Sequence, residues 1–349
     1  MRIVITHSYF LRFDTKQWAL GKPYPPLGTL YATSSLLQAG HDVSFEDSMF
    51  FESPDQINGA LSDLPDLFII YDDGFNYLTK MCLTNMREAA FAMIRLAKEK
   101  GARIIVSSSD STDHYEQYLD AGADYVLMGE AEHTLVELVH WMETSIVTIT
   151  QDAGITQDAG KINAHNSAES NEQYSDNLQN SQPLLVAGIA FRSGKDIVKT
   201  ATRGVIRNLD QLPFPAWQLL NIKPYKERWL TNTGYFSINV GTTRGCPYKC
   251  NWCAKPIYGN RYNARSAASV VQELVQLKEL FAFDHVWFCD DIFGLKPGWV
   301  EEFADLIISR GLKFRFKIQS RADLLVNEAY VQALARAGCE EVWMGAESG

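Results

Sequence analysis

Cys246, Cys250 and Cys253 fall in the pattern Cys-x3-Cys-x2-Cys within Thr243-Arg244-Gly245-Cys246-Pro247-Tyr248-Lys249-Cys250-Asn251-Trp252-Cys253, in a chain with 6 cysteines among 349 residues. That spacing puts three thiolates within reach of one another on a single tight loop, as a metal or cluster requires. An odd trio this compact does not suit a disulfide framework, which needs pairs, and a structural zinc site takes four protein ligands. A cubic iron–sulfur cluster held by three thiolates would keep one iron free of protein, able to hold a substrate or cofactor. The residues alone also admit three unrelated thiols, or a zinc loop completed by Cys289 or His285. Cys82, Cys289 and Cys339 stand in apolar or pre-helical surroundings and are expected to be packing residues.

The rest of the chain must hold such a loop rigid, and its composition is adequate for that. A 46% hydrophobic content with 12% aromatics supplies core for two domains. A net charge of −10 disfavours a broad nucleic-acid or anionic-membrane surface and favours a small or lipid-like substrate. The opening Met1-Arg2-Ile3-Val4-Ile5-Thr6 is too short for a signal peptide, and no stretch is long enough to span a bilayer. Free thiols suit the cytoplasm.

Apolar runs over 2–6, 42–46, 66–71, 103–106 and 124–127 read as strands. Helices are expected after Pro25-Pro26-Leu27-Gly28 and near 86–99, 114–121 and 131–142. This alternation predicts an α/β unit over 1–145: a five-stranded parallel sheet of flavodoxin or Rossmann type, covered on both faces, with ligands at the carboxyl ends of its strands. The loops at those ends are His7-Ser8-Tyr9, Asp72-Asp73-Gly74 and Ser107-Ser108-Ser109-Asp110. A receiver domain is disfavoured, because Thr6-His7-Ser8 and Met128-Gly129-Glu130 replace its acidic cluster and lysine. Asp72 and Asp73 also admit a plain reading as solvated carboxylates capping the next segment.

Residues 146–182 change character. Ile-Thr-Gln-Asp-Ala-Gly occurs twice in tandem, at 149–154 and 155–160, followed by a polar tract, so a mobile insertion is expected. A hairpin over 184–198 and the proline-punctuated run 209–217 then form a connector across 183–235.

The cysteine loop, with Trp252 just before the third cysteine, resembles that of the radical S-adenosylmethionine (SAM) enzymes. The resemblance implies a [4Fe–4S] cluster on Cys246, Cys250 and Cys253, its open iron chelating SAM, with one electron cleaving SAM to a 5′-deoxyadenosyl radical. It also implies an incomplete (β/α)6 partial barrel over 236–349, with strands at 236–240, 285–289, 314–319 and 341–345. SAM contacts carried over are Trp252, Asp290 or Asp291 in Asp290-Asp291-Ile292-Phe293, Arg321 in Ser320-Arg321-Ala322-Asp323-Leu324, and Glu347 in Ala346-Glu347-Ser348-Gly349. For the aspartates a helix N-cap before the run from Pro297 remains open, and for Arg321 a surface salt bridge. Ending after a fourth strand, the chain reads as a fragment or a truncation. A flavodoxin or ferredoxin would be the electron donor.

Three further stretches are similar to the cobalamin-binding domain that precedes the barrel in one group of these enzymes. They are Pro25-Pro26-Leu27-Gly28-Thr29-Leu30-Tyr31, Ala39-Gly40-His41-Asp42-Val43 and Gly129-Glu130-Ala131-Glu132-His133-Thr134. The resemblance implies cobalamin contacts from Ser8, Asp72, Ser107, Ser108, Gly129 and Glu130. No histidine fits Asp-x-His-x-x-Gly, and Ser107-Ser108 replaces the Gly-Gly of relatives. The implied activity is cobalamin-dependent methyl transfer to an unactivated carbon or phosphorus centre. The alternatives are a radical SAM oxidoreductase or cyclase with the same cofactors, and a non-catalytic corrinoid-binding remnant.

Overall fold

The computed structural model describes residues 1–72, 74, 83–152, 183–250 and 257–345. The first sheet has the strand order β2-β1-β3-β4-β5-β6-β7. Its strands are β1 (Arg2–Thr6), β2 (Asp42–Phe45), β3 (Leu67–Tyr71), β4 (Arg103–Ser107), β5 (Tyr125–Leu127), β6 (Ile189–Ser193) and β7 (Asp196–Lys199). The first five are parallel, in register Ile3↔Val43, Ile3↔Leu67, Leu67↔Arg103 and Ile105↔Tyr125. Their side chains alternate between two covered faces, as a parallel sheet demands. Phe68, Ile70, Ile104 and Val106 pack on Ala90, Met93 and Ile94 of the helix Leu83–Glu99. Ile3, Ile5, Leu67 and Ile69 pack on Leu36, Leu135, Leu138 and Met142.

Two expectations need correction. The sheet has seven strands rather than five, because the hairpin assigned to the connector adds to β5 in antiparallel register, Val126↔Ala190. Pairing there covers the backbone donors and acceptors that β5 would otherwise leave open at an edge. The segment from 146, expected to open a mobile insertion, continues the helix Glu132–Asp152, so the first residues of the tandem repeat are helical. The remainder of that insertion, 153–182, lies outside the described residues.

The second sheet is parallel, in the order β13-β12-β11-β8. Its strands are β8 (Ser237–Val240), β11 (His285–Phe288), β12 (Arg315–Ser320) and β13 (Cys339–Met344). Each follows its neighbour through a helix: Ala267–Phe281, Trp299–Ser309 and Glu328–Ala337. Leu274, Phe288, Phe303 and Phe316 fill the layer between sheet and helices. The opposite face receives the segment before the helix Leu27–Gln38. The Tyr24 ring packs tilted against Trp287 with centroids 4.8 Å apart, and Asn239 Nδ2 donates to the Pro25 carbonyl at 3.1 Å. One apolar core therefore runs from Leu27 and Tyr31 into the second sheet. Among the described residues no helix is long and apolar enough to cross a membrane.

Candidate functional site

The cysteine loop leaves the carboxyl end of β8. It is closed at its root by a short antiparallel pair, β9 (Thr243–Arg244) with β10 (Asn263–Ala264), in register Arg244↔Asn263 and Thr243↔Ala264. Gly245 follows at φ +77°, and a Cβ there would stand 2.2 Å from the Arg261 carbonyl oxygen. Only glycine fits both the left-handed backbone and the close approach. Cys246 is then buried and Cys250 exposed. Cys253 and Trp252 lie outside the described residues, as does Cys82.

Asp290, just past β11, is buried. Its Oδ1 accepts the backbone N–H groups of Thr242 and Thr243 at 2.7 and 2.8 Å, and its Oδ2 accepts the Thr242 hydroxyl at 2.5 Å. Burial, only partly offset by these bonds, pushes its pKa from 3.8 to about 6. Of the two aspartates proposed to hold SAM, Asp290 is thus committed to the root of the loop and Asp291 is exposed. Neither caps the following helix, whose N-cap is Gly298. The Arg321 guanidinium lies 3.8 Å over the ring of Tyr248, inside the cysteine loop, and its Nε donates to Asp323 at 2.9 Å. Arg321 therefore does make the exposed ion pair, and it also stands over the loop. Glu347 lies outside the described residues.

The zinc alternative through His285 fails on geometry. His285 opens β11, three residues before its last residue Phe288, so it sits about 10 Å from the carboxyl end of the strand. Its Nδ1 pairs with Ser237 Oγ at 2.8 Å, and burial with Lys317 and Arg315 nearby pushes its pKa down to about 4. Cys289 donates through Sγ to the Val240 carbonyl at 3.4 Å. Cys339 is half-buried, and burial raises its thiol to about 11, in keeping with a packing residue.

The carboxyl ends of the two sheets face each other across Arg244. Its Nη1 donates to Glu130 Oε1 at 2.5 Å and its Nη2 to Glu132 Oε1 at 2.7 Å, and all three side chains are at most 3% exposed. Tyr31 and Tyr258 flank the guanidinium, with ring centroids at 5.2 and 5.3 Å. Burial opposes its charge, but Glu132, Tyr258 and Glu130 outweigh that and hold its pKa well above the ordinary value. A Cβ on Gly74, in the loop after β3, would meet Ile257 Cδ1 at 3.0 Å and Tyr258 Oη at 3.3 Å.

This arrangement revises the residues assigned to cobalamin. Both carboxylate oxygens of Glu130 are engaged within the protein, one by Arg244 and the other by the Ile206 N–H at 2.5 Å. Asp72 is buried and accepts the Ser8 N–H at 2.6 Å and the Ser8 hydroxyl at 2.9 Å, so it is no solvated cap. Its neighbour Asp73 lies outside the described residues. Ser108 caps the helix Ser109–Asp113, its Oγ accepting the Ser111 N–H at 2.8 Å, and Ser107 is buried beside it. Gly129 adopts φ +76° with nothing within 4 Å of where a Cβ would stand.

Several residues that build the site have no motif of their own in the sequence. Arg244 lies two residues before Cys246 in the sequence, and the Gly-Glu-x-Glu run of Gly129–Glu132 is the signal that marks its partners Glu130 and Glu132. Arg265 is a second buried cation, salt-bridged to Glu273, which also accepts the Trp217 indole N–H at 2.8 Å. The Arg265 Nη1 also reaches the Gly241 carbonyl at 3.1 Å.

Residues 240–349 match the Radical SAM superfamily. The chain is 24% identical over 335 residues to an uncharacterized methyltransferase of Pyrococcus horikoshii, covering 94% of this chain and 62% of the relative. It is also 24% identical over 331 residues to an anaerobic magnesium-protoporphyrin IX monomethyl ester cyclase of Synechocystis, covering 93% and 57%. Among solved structures it resembles the radical SAM methyltransferase TsrM of Kitasatospora setae with cobalamin and [4Fe-4S] cluster bound. The TM-score is 0.63 at 16% identity, covering 99% of this chain and 60% of that one. The chain thus spans about three fifths of the length of these relatives.

Proposed function

Starting from a chain whose residues 240–349 form a radical SAM domain, we propose that the protein is a cobalamin-dependent radical SAM methyltransferase acting on a small or lipid-like substrate. The observation that carries this reading is the cysteine loop itself. It is clamped at its root by β9 and β10, latched by Asp290, and turned toward the carboxyl end of a flavodoxin-ordered sheet. The donor set fits an iron–sulfur cluster: Cys246 and Cys250 are thiols on one loop, and the buried carboxylate at the loop's root, Asp290, is occupied by other donors. Cys246, Cys250 and Cys253 would hold it, with SAM beside Asp291 and Arg321.

Cobalamin would lie at the carboxyl ends of the first sheet, where Gly129 leaves open space; Ser8 and Ser108, like Asp72 and Glu130, direct side-chain hydrogen bonds within the protein. When bound, these groups supply reductive cleavage of SAM and a transferable methyl. The chain would orient them: Asp291 would accept from the SAM ammonium and Arg321 would reach its carboxylate, with the Arg321 guanidinium resting on the Tyr248 ring. The reductant would be a flavodoxin or ferredoxin.

A second reading, a cyclase using the same cofactors, is supported by the 24% identity to the protoporphyrin ester cyclase over 93% of this chain. Anaerobic reconstitution of the full-length protein tests the main reading. About four irons per chain, SAM cleavage on reduction, and loss of the iron in Cys250→Ala are expected. Tetrahedral zinc in the loop would overturn the reading. Labelled methyl from SAM appearing in product separates methyl transfer from cyclisation.

A further inference from the structure

Arg244 joins three segments far apart in the chain. Its side chain is 3% exposed and bonds Glu130 and Glu132, which follow β5 in the first domain, and Glu130 in turn accepts the Ile206 N–H of the connector. Its backbone belongs to β9, two residues before Cys246. The intervening Gly245 has no slack, since even a Cβ there would run into the Arg261 carbonyl at 2.2 Å and the Tyr258 carbonyl at 2.9 Å. Arg244 and Cys246 are thus separated by a single residue packed against backbone.

The triad is also unbalanced. Two carboxylates meet one guanidinium, and Glu132 Oε2 has no hydrogen-bond partner among the described residues. Both carboxylates are buried beside the loop, where screening is weak, and burial raises the pKa of Glu130. A buried ion pair is poor evidence of stability, because well-packed apolar side chains often replace it without loss. Conformational coupling is a better account of its presence here.

We propose that Arg244 is a positioning residue: through Glu130 and Glu132 it makes the geometry and potential of the cysteine loop depend on the first domain. The proposal rests on the reading that this loop holds an iron–sulfur cluster.

The test uses the full chain with four changes: Glu132→Gln, Arg244→Lys, Arg244→Met, and the triple apolar replacement Glu130→Leu, Glu132→Leu, Arg244→Met. Hydrogen exchange of 241–250 is read on iron-free protein. Iron retention, the electron paramagnetic resonance signal and the midpoint potential are read after reconstitution. Glu132→Gln, which changes only the first domain, should speed exchange in the loop and raise the potential, since one negative charge is gone. Arg244→Met should lower the potential and weaken iron retention by about 10- to 100-fold, the usual effect of losing a group that orients metal ligands. Arg244→Lys should keep a potential close to wild type while altering the line shape, because charge survives and the fork does not.

The triple replacement should unfold like wild type yet still show fast loop exchange and an altered signal, which separates positioning from folding. If the wild type takes up no iron, the functional reading fails, and loop exchange alone decides the coupling. If the wild type loads and all four variants match it in exchange, signal and potential, the role given to Arg244 is overturned.

Discussion

Asp290 holds Thr242 by both of its carboxylate oxygens, Oδ1 accepting the backbone N–H at 2.7 Å and Oδ2 the hydroxyl at 2.5 Å. The end of β11 is thereby fastened to the root of the cysteine loop. Asp290→Ala would orphan the buried amides of Thr242 and Thr243, each at roughly 1–3 kcal/mol. Lower stability and weak iron retention are expected. Asp291→Ala should keep the iron and raise the SAM concentration needed for cleavage. Iron analysis beside a SAM titration checks this, and identical behaviour of the two variants would refute the division of roles.

Asp72 carries a pH signature. Burial raises its pKa from 3.8 to about 6 despite two hydrogen bonds from Ser8. A carboxyl raised in the folded state contributes stability that is present below its unfolded pKa and is lost as pH rises through the folded one. At about 1.4 kcal/mol per unit, the loss between pH 4 and pH 7.5 is on the order of 3 kcal/mol. Asp72→Asn removes it, so the variant should gain on wild type by about that amount across the window. Asp290 titrates alike in both proteins and cancels. Urea unfolding at the two pH values measures the difference, and a gap that does not change with pH would contradict the burial argument.

Gly245 and Gly40 provide a matched pair. Each has positive φ, +77° and +90°, but only Gly245 has backbone atoms where a Cβ would stand. Gly40→Ala should cost about 1–2 kcal/mol, the conformational penalty alone. Gly245→Ala adds displacement of the Arg261 backbone and should abolish iron retention. Unfolding midpoints and iron content compare them, and equal effects would show that the close approach is unimportant.

Glu273 neutralises Arg265 and accepts the Trp217 N–H at 2.8 Å. Glu273→Ala strands a buried guanidinium and an indole donor together, and should cost about 3–5 kcal/mol. Replacing Arg265 and Glu273 by methionine and leucine should recover much of it. Thermal unfolding of the single and double variants decides, and a mild single variant would mean the pair is better solvated than its burial implies.

Periodicity made the first five strands legible, because a parallel sheet buried on both faces writes continuous apolar runs such as Arg2–Thr6 and Leu67–Tyr71. The added hairpin was visible as a hairpin but not as part of that sheet. Edge pairing depends on which backbone groups are left open once the chain has folded, and no residue type records that. The helix through Asp152 overran the compositional break at 146 for a related reason: it belongs to an amphipathic run whose earlier turns are anchored by Leu135, Leu138 and Met142.

By itself the sequence determined the chemistry on offer: thiols at cluster spacing, carboxylates after β11, and an arginine two residues before the first cysteine. Such things follow from residue type and local spacing, which the chain carries openly. Only the tertiary structure decided how those groups were committed. It turned Asp290 inward and left Asp291 outside, drew Glu130 away from a ligand and onto Arg244, and put His285 at the wrong end of its strand. Buried polar groups must find partners, and those partners come from segments distant in the chain, 48 positions apart for Thr242 and Asp290 and 114 for Glu130 and Arg244.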